Sequence, residues 1–253
     1  MTFLKKHGFT VLFAVLSVAF MFAAWAIGWG VKGNELVIPS IGSTLTSFFK
    51  LFAEGEFWAS LGLTFLRTVI AVFVSFVAAA VCILLGFAFA PFKAFLNPII
   101  AVCRTVPTMA VTLIIMLVFG AFTPIIVTTL VIFPMLYAQI STAVDGIDKG
   151  LLDMAKTYNV KKSTRFSKII LPQIAPSVVG QLGSDISFGL KLTISAEVLA
   201  YVNSGIGDMI KSANFATEIA RMSALTLVAV VAGLLVEGVF YLINKFAFKW
   251  RRV

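Results

Sequence analysis

Residues 153–172 read DMAKTYNVKKSTRFSKIILP, and this short basic stretch decides how the rest of the chain is arranged. Five of its residues are Lys or Arg, while long apolar segments lie on both sides of it. Charged side chains are costly inside the hydrocarbon core of a bilayer. The stretch is therefore expected at a membrane surface, and the apolar segments that flank it are expected to cross the membrane.

The composition of the whole chain is that of a polytopic membrane protein. Of its 253 residues, 60% are hydrophobic and only 12% are charged, whereas soluble domains carry roughly 25% charged residues. The net charge is +9. The basic residues flank apolar segments, and no soluble domain is present that could offer a basic face to nucleic acid. Membrane lipid is therefore an expected partner and nucleic acid is not.

Six apolar segments are predicted to form transmembrane helices, each of which needs about 20 apolar residues. The predicted spans are Phe9–Trp29, Leu61–Phe89, Val106–Phe119, Ile125–Val144, Val178–Val202 and Ser223–Ile243. The third is short, and we expect it to borrow length from Phe95–Val102, with Pro98 and Pro107 breaking the helix. The pattern predicts an all-α fold with one transmembrane domain over residues 1–253 and a core over about 60–243.

The distribution of Lys and Arg predicts the orientation of these spans. With the N-terminus inside, 14 of the 20 basic residues fall on the inner side and four on the outer side. Cytoplasmic loops carry an excess of Lys and Arg. Both termini are therefore predicted to be cytoplasmic, with Trp250, Arg251 and Arg252 as an interfacial anchor. In the longest outer segment, an amphipathic helix over Leu45–Phe52 is expected to lie on the outer surface.

The basic stretch belongs to a longer segment, residues 145–173, called the inner loop below. A helix in it would place Leu151, Met154 and Ala155 on one face. Asn159 is suited to end that helix, because Asn tolerates the left-handed backbone conformation. An apolar face on an aqueous loop is typical of a protein contact, but an amphipathic connector lying on lipid has the same pattern.

A second helix is predicted to follow in the inner loop. It is expected to start near Ser163 or Thr164, either of which could serve as its N-cap. Pro172 and Pro176 are then expected to reshape the backbone before the fifth span. The inner loop is therefore predicted to be a helix, a turn and a second helix.

The inner loop resembles the EAA loop of ABC-importer permeases. The family pattern is E-A-A, three residues, G, about nine residues, and then I/L-L-P. The residues at the matching positions are Asp153, Met154, Ala155, Asn159, Leu171 and Pro172. Asp keeps the carboxylate of the family's Glu, and Asn keeps the access of Gly to positive φ. Met in place of Ala is the largest departure.

Further short stretches resemble the nitrate/sulfonate/taurine branch of the same family. Arg104–Pro107 resembles its R-P-x-P stretch, Phe119-Gly120 its W-F-G ending, and Phe133-Pro134 a proline-bearing turn. Ala196-Glu197, followed by Gly205–Gly207, resembles its A-E…G-L-G stretch. These matches occur in the family's order and cover about residues 60–243.

The resemblance implies a permease subunit of an ATP-driven importer in the bacterial inner membrane. The implied partners are a second permease subunit, forming a homodimer, two cytosolic ATPase subunits and an extracytoplasmic substrate-binding protein. A coupling helix between the fourth and fifth spans would contact the ATPase. The residues implied in that contact are Leu151, Asp153, Met154, Ala155, Asn159, Leu171 and Pro172.

The chain itself is expected to be neither an enzyme nor a cofactor-binding protein. It contains no G-x-x-x-x-G-K-[ST] phosphate loop, so ATP and Mg²⁺ would be bound by the partner ATPase. Its only histidine is His7, and its two cysteines have no metal-binding spacing. Neither a catalytic residue nor a metal ligand is therefore assigned.

Polar residues in the fifth span are predicted to line the translocation pathway, because ionisable side chains within a membrane need a functional reason. They are Asp185, Ser187, Lys191, Thr193, Ser195 and Glu197. Lys191 could face water and attract an anionic solute, or it could pair with Glu237 of the sixth span. Arg67 is expected to extend towards the interface. Glu197 could serve a gate or an interface, or simply be hydrated at the membrane boundary.

The alternative function is that of a secondary transporter or channel. In that case Asp185, Glu197 and Glu237 would form an ion relay within the membrane. Such proteins are typically built from paired repeats with discontinuous helices, and the sequence shows no such repeat. A membrane-embedded enzyme is disfavoured because no metal-binding or nucleophile motif is present.

Overall fold

The computed structural model describes residues 2–248, and every regular element in that range is helical. The helices are α1 (Thr2–Lys32), α2 (Ile41–Leu51), α3 (Gly55–Ala88), α4 (Ala90–Thr105), α5 (Thr108–Phe119), α6 (Thr123–Asp145), α7 (Lys149–Thr157), α8 (Lys162–Arg165), α9 (Leu171–Leu199), α10 (Ile206–Phe215) and α11 (Ile219–Ala247). The all-α prediction is confirmed for this part of the chain. The predicted anchor at residues 250–252 lies outside the described residues.

Four helical segments are long and apolar enough to cross a membrane. They are Val15–Lys32, Gly55–Gly86, Thr108–Asp145 and Ile219–Ala247. The third contains two of the predicted spans, because only a short 3₁₀ turn joins α5 to α6. The fifth predicted span falls in α9, which has 29 residues but carries three charged side chains. The described helices therefore form a polytopic membrane fold, and the count of six spans stays a prediction.

The two prolines around the third predicted span behave differently from each other. Pro107 precedes α5 in extended backbone, as predicted. Pro98 lies inside α4, which runs without interruption from Ala90 to Thr105. The prediction that Pro98 breaks the helix is therefore wrong. Proline is tolerated inside membrane helices because neighbouring groups satisfy the backbone carbonyl that it frees.

The chain divides into two compact units. The first comprises Met1–Phe57 and Met209–Val228, and the second comprises Trp58–Asp208 and Ala229–Val253. The prediction of one transmembrane domain over the whole chain stays a prediction. In the first unit, the outer helix predicted over Leu45–Phe52 forms as α2.

Short polar contacts hold the first unit together. The Ser40 hydroxyl caps α2 by accepting a hydrogen bond from the Ser43 backbone N–H at 3.1 Å. The Trp25 indole N–H donates to the carbonyl oxygen of Pro39 at 3.0 Å. Arg221 pairs with Glu54 at 2.7 Å, and both side chains are about one-third exposed.

The core of the second unit is formed by α3, α4, α6 and α9, and α6 and α9 make the most extensive contact in it. Its buried side chains are Val72, Ala79, Leu96, Ile100, Ile132, Leu136, Tyr137, Ile140 and Ile186. Gly189 lets α9 approach α3 closely, since a Cβ there would lie 3.2 Å from Val72 and 3.3 Å from Thr68. Small residues at such crossings are typical of membrane helix packing.

Candidate functional site

The first helix of the inner loop, α7, has well-defined caps at both ends. The Asp148 carboxylate accepts hydrogen bonds from the backbone N–H groups of Gly150 at 2.8 Å and Leu151 at 3.3 Å. At the other end, Asn159 has φ 51°, and the N–H of Val160 donates to the carbonyl oxygen of Ala155 at 2.9 Å. This is the Schellman arrangement of a helix C-terminus. The prediction that Asn159 ends the helix with positive φ is confirmed.

The side chains of α7 separate into a buried and an exposed face. Ala155 is 3% exposed, whereas Leu151 is 40%, Met154 52% and Tyr158 77% exposed. Ala155 follows Leu151 by four residues and so lies next to it on the helix, as predicted, but its small side chain is covered while Leu151 and Met154 are exposed. The exposed residues Leu151, Met154 and Tyr158 recur at helical spacing and form an apolar surface, called the α7 face below.

Asp153 lies beside the α7 face and is largely exposed. Its carboxylate pairs with Lys156 at 2.9 Å, and the side chains of the pair are 70% and 63% exposed respectively. Exposed pairs of this kind contribute only about 0.2–1 kcal/mol to stability. The Asp153 side chain is therefore available to a partner at little cost to the loop.

The second half of the inner loop is helical from near the predicted start, but neither Ser163 nor Thr164 is its N-cap. α8 begins at Lys162, after an N-cap residue whose side chain makes no capping hydrogen bond. A π-helical turn over Phe166–Ile170 then leads directly into α9. Pro172 and Pro176 were predicted to reshape the backbone before the fifth span; Pro172 lies in the first turn of α9, directly after the π-turn, and Pro176 lies inside α9, which continues through both. A π-turn changes the hydrogen-bond register locally without ending the helix.

A direct contact ties the start of α7 to α9. The side-chain oxygen of Gln173 accepts a hydrogen bond from the Asp148 backbone N–H at 3.0 Å. Leu171 is 45% exposed and Pro172 is partly buried. The loop is therefore connected to α9 by a continuous helical backbone and by this side-chain contact.

A buried ion pair joins α3 to α9 at the end of α9 remote from the inner loop. Glu197 is fully buried and accepts a hydrogen bond from Arg67 at 2.6 Å. Its carboxylate also accepts from the Thr64 hydroxyl at 2.9 Å and the Gly207 N–H at 3.0 Å. Arg67 donates further to the Ser204 hydroxyl at 2.8 Å. These five residues are called the Glu197 network.

The Glu197 network corrects two expectations. Arg67 was expected to extend towards the interface, but it turns to a carboxylate inside the protein. Glu197 was considered for hydration at the boundary, but no water can reach its side chain. The pair was not predicted from the sequence; the signal that could have found it is that both charges fall near the same end of two predicted spans, where opposite charges are typically paired.

Two glycines beyond α9 are required by the same network. Gly205 has φ 102°, and a Cβ there would lie 2.6 Å from a Glu197 carboxylate oxygen and 2.7 Å from the Thr64 hydroxyl. A Cβ at Gly207 would collide with the Cβ of Glu197. The A-E…G-x-G spacing therefore has a packing reason, since the glycines let the chain close over the carboxylate.

The other buried polar residues of the predicted pathway set on α9 are also enclosed by the chain. Thr193 is fully buried, and its hydroxyl lies 3.0 Å from those of Thr68 and Thr128. Asp185 is 2% exposed and accepts from the Gln139 amide at 2.9 Å. Ser187 is 3% exposed. The side chains of these three residues and Glu197 are therefore enclosed by neighbouring helices in this conformation.

A second set of α9 residues is exposed and mostly polar. Its members are Gln181, Ser184, Phe188, Lys191 and Ser195, called the α9 stripe below. They are spaced alternately three and four residues apart, which places them on one side of the helix. Lys191 and Ser195 belong to the predicted pathway set. Gln181 and Ser184 were missed, although the alternating spacing of polar residues was visible in the sequence.

The pairing of Lys191 with Glu237 is not formed. Among the ion pairs of the described residues, none joins these two side chains. Gly183 is the α9 residue that lies against the Glu237 backbone, since a Cβ there would be 3.3 Å from the Glu237 Cα. Lys191 is eight residues further along α9, a displacement of about 12 Å.

Comparison with known proteins places this geometry in a family. The model of the family described as "Binding-protein-dependent transport system inner membrane component" matches residues 83–249. The chain belongs to this family. The predicted identification as an ABC-importer permease is confirmed, and with it the assignment to the nitrate/sulfonate/taurine branch.

Two curated relatives of this permease are named as aliphatic sulfonates transport permease proteins, SsuC. The protein from Bacillus subtilis is 27% identical over 253 residues, which cover 98% of this chain and 90% of that protein. The protein from Escherichia coli K12 is 27% identical over 194 residues, which cover 75% of this chain and 72% of that protein.

Solved transporter structures share the fold. An inward-facing structure of the MetNI methionine ABC transporter aligns with a TM-score of 0.61 at 17% identity, covering 76% of this chain and 97% of that chain. The structure of an amino acid ABC transporter aligns with a TM-score of 0.64 at 17% identity, covering 79% and 96%. These structures show the fold, and the family membership makes the permease a transport protein of an ABC importer.

Of the three carboxylates in the ion-relay alternative, Asp185 and Glu197 do not lie within reach of each other. Glu197 is neutralised by Arg67, and Asp185 lies twelve residues away on the same helix, a separation of about 18 Å. No direct proton or ion transfer between the two carboxylates is possible over such a distance.

Proposed function

We propose that this permease forms, as a homodimer, the translocation pathway of an ATP-driven importer for small anionic solutes such as aliphatic sulfonates. Two cytosolic ATPase subunits would supply the energy, and an extracytoplasmic binding protein would deliver the solute. The family membership supports the assembly. The names of the two SsuC relatives support the class of solute.

The proposed topology has six spans in the bacterial inner membrane. α1, α3, α5, α6, α9 and α11 would cross the membrane, with both termini in the cytoplasm. The excess of basic residues on the inner side supports this orientation. The structure of α9 supports the fifth span, because 29 residues of helix extend over about 43 Å, well beyond the hydrocarbon thickness of about 30 Å.

We place the contact with the ATPase at the α7 face, and this placement is carried by one observation. A short, firmly capped helix presents Leu151, Met154 and Tyr158 outwards from a membrane loop. An exposed apolar surface of this kind is typical of a protein interface. Asp153 would add a charged contact at its edge. ATP and Mg²⁺ would be bound by the ATPase, and this chain would bind no cofactor.

Not all the residues first assigned to coupling would act directly. Ala155 is buried beneath the α7 face, and Asn159 shapes the end of the helix. Leu171 and Pro172 lie at the start of α9. We propose that these four residues position the α7 face, while Leu151, Asp153 and Met154 contact the ATPase together with Tyr158.

A matched pair of charge substitutions tests this placement. Met154→Asp puts a carboxylate in the α7 face, and Thr157→Asp puts the same group at an exposed position outside it. Co-purification of the ATPase should be lost with Met154→Asp and kept with Thr157→Asp. Equal retention of the ATPase by both variants would contradict the placement.

The pathway is proposed to run along the α9 stripe. A polar stripe on a membrane-spanning helix is costly against lipid, so it is expected to face water or the second permease subunit. The four enclosed members of the predicted set, Asp185, Ser187, Thr193 and Glu197, would then hold α9 in place in this conformation. Lys191 would give the stripe a positive charge that attracts an anion.

Two serines on α9 provide an internal control for this proposal. Ser184 belongs to the stripe and is exposed, whereas Ser187 is 3% exposed. In a background lacking Cys82 and Cys103, Ser184→Cys should react with a water-soluble thiol reagent much faster than Ser187→Cys. Inaccessibility of cysteines at positions 181, 184, 191 and 195 would exclude a water-filled pathway there.

A further inference from the structure

A large apolar cavity lies in the second unit, between α3, α6, α9 and the inner loop. Its volume is about 640 Å³. The lining includes Phe76, Ile83, Ile140, Phe166, Leu171 and Leu182. Cavities with apolar walls do not hold ordered water, because water needs two to four polar partners. An occupant of this cavity is therefore expected to be apolar.

One lining residue of the cavity is charged, and it is Lys162 at the start of α8. Residues 159–173 of the inner loop contain four basic residues and no acidic residue. Nearby, the Nε of Arg165 is buried and has no hydrogen-bond partner. The cavity is thus apolar along its length and positively charged at the loop.

The lining limits what can fill the cavity. Its walls are apolar and Lys162 is its one charged lining residue, so an occupant needs an apolar body and an anionic group at the loop. A hydrocarbon chain is narrow and can enter from the surrounding bilayer.

We propose that an anionic phospholipid of the inner leaflet binds this cavity, with acyl chain methylenes inside it and the phosphate at Lys162. The combination of apolar walls and a basic rim is complementary to such a lipid. The bound lipid would fill the space between α3 and the inner loop and hold α8 against α9. The choice of the inner leaflet rests on the proposed topology. Lipid binding is measured without transport, so a failure of this proposal can be told from a failure of the proposed function.

The test compares lipid retention by the purified full-length permease in native mass spectrometry. Phosphatidylglycerol and phosphatidylcholine of the same chain length are the probes. Wild type should retain at least fivefold more phosphatidylglycerol than phosphatidylcholine. Lys162→Gln should abolish this preference. Lys161→Gln is the matched control, because Lys161 is exposed and does not line the cavity.

Filling the cavity is the second arm of the test. Ala80 and Ala175 line it from α3 and α9, so Ala80→Leu and Ala175→Phe should each lower the retention of both lipids. If one of these two variants fails to fold, the other still provides the test. Unchanged phosphatidylglycerol retention in Lys162→Gln, or in the folded cavity-filling variant, would overturn the proposal. A disulfide between the cysteines of two Ala175→Cys copies would also overturn it, because a second copy would then lie at the cavity.

Discussion

Breaking the pair between Arg67 and Glu197 should be among the most destabilising single changes in the second unit. Removing one partner of a buried ion pair costs about 3–5 kcal/mol, because the other charge stays buried without compensation. In Arg67→Met the fully buried Glu197 keeps Thr64 and Gly207 as donors but loses its cation. We therefore expect a loss of about 3 kcal/mol, at the lower end of this range.

The reverse substitution should cost less. Glu197→Gln leaves Arg67 without its carboxylate, but the Arg67 side chain is 12% exposed and keeps its hydrogen bonds to Ser204. The double variant Arg67→Met with Glu197→Gln should be more stable than the sum of the two losses predicts, by about 1–3 kcal/mol, because contacting residues are not additive.

Thermal unfolding of the purified permease in detergent, followed by circular dichroism, measures these differences. For a chain of 150–250 residues, 1 kcal/mol shifts the melting temperature by about 2–4 °C, so Arg67→Met should lower it by about 6–12 °C. Arg221→Met is the matched control. Arg221 pairs with Glu54 at a similar distance, 2.7 Å, but both side chains are about one-third exposed, so the loss should be within about 1 kcal/mol.

Either of two results would contradict the loss of stability expected for Arg67→Met or its coupling to Glu197→Gln. One is an Arg67→Met melting temperature within 2 °C of that of Arg221→Met, where the expected gap is about 4 °C or more. The other is strict additivity of Arg67→Met and Glu197→Gln in the double variant.

Three further predictions follow from the site. Gly207→Ala should destabilise the permease by about 1–3 kcal/mol, since the new Cβ would collide with Glu197; a melting temperature equal to that of wild type would show that the chain relaxes there freely. Asp153→Arg should change stability by less than about 1 kcal/mol yet reduce ATP-driven uptake in reconstituted vesicles; full uptake would show that this side chain does not contact the ATPase. Ala155→Leu, in contrast, should lower stability by about 1–3 kcal/mol through overpacking. Lys191→Gln should raise the KM for an anionic solute about tenfold, as expected for loss of a charged hydrogen bond, and Lys191→Arg should restore most of it; an unchanged KM would exclude contact with the solute.

The inner loop shows how far local sequence reasoning reaches. The end of α7 could be predicted because Asn159 meets a local requirement for positive φ. The continuity from α8 into α9 could not be predicted, because proline near a helix start is compatible both with a new helix and with an ongoing one. The structure decides between them with a π-turn over Phe166–Ile170, which was not predicted.

The Glu197 network is a second feature that could not be predicted from the sequence. Arg67 and Glu197 are 130 residues apart, and nothing in the spacing of either residue names the other. The sequence located both charges near membrane boundaries, and it contained the glycines at positions 205 and 207 as part of a family resemblance. The reason for those glycines emerges only once the carboxylate is seen directly beneath them.

The two serines of α9 show why residue type alone could not separate the exposed polar residues of this helix from the buried ones. Ser184 and Ser187 are both serines, three positions apart, and both count equally as polar residues in a predicted span. A three-residue step turns a side chain by about 300° around the helix, so neighbours at this spacing usually share a face. Here the boundary of the packed surface falls between them, because Ser187 meets Gly233 of α11, where a Cβ would lie 2.6 Å from its hydroxyl. For these two serines, the position of that helix crossing, rather than residue type, determines which side chain stays exposed.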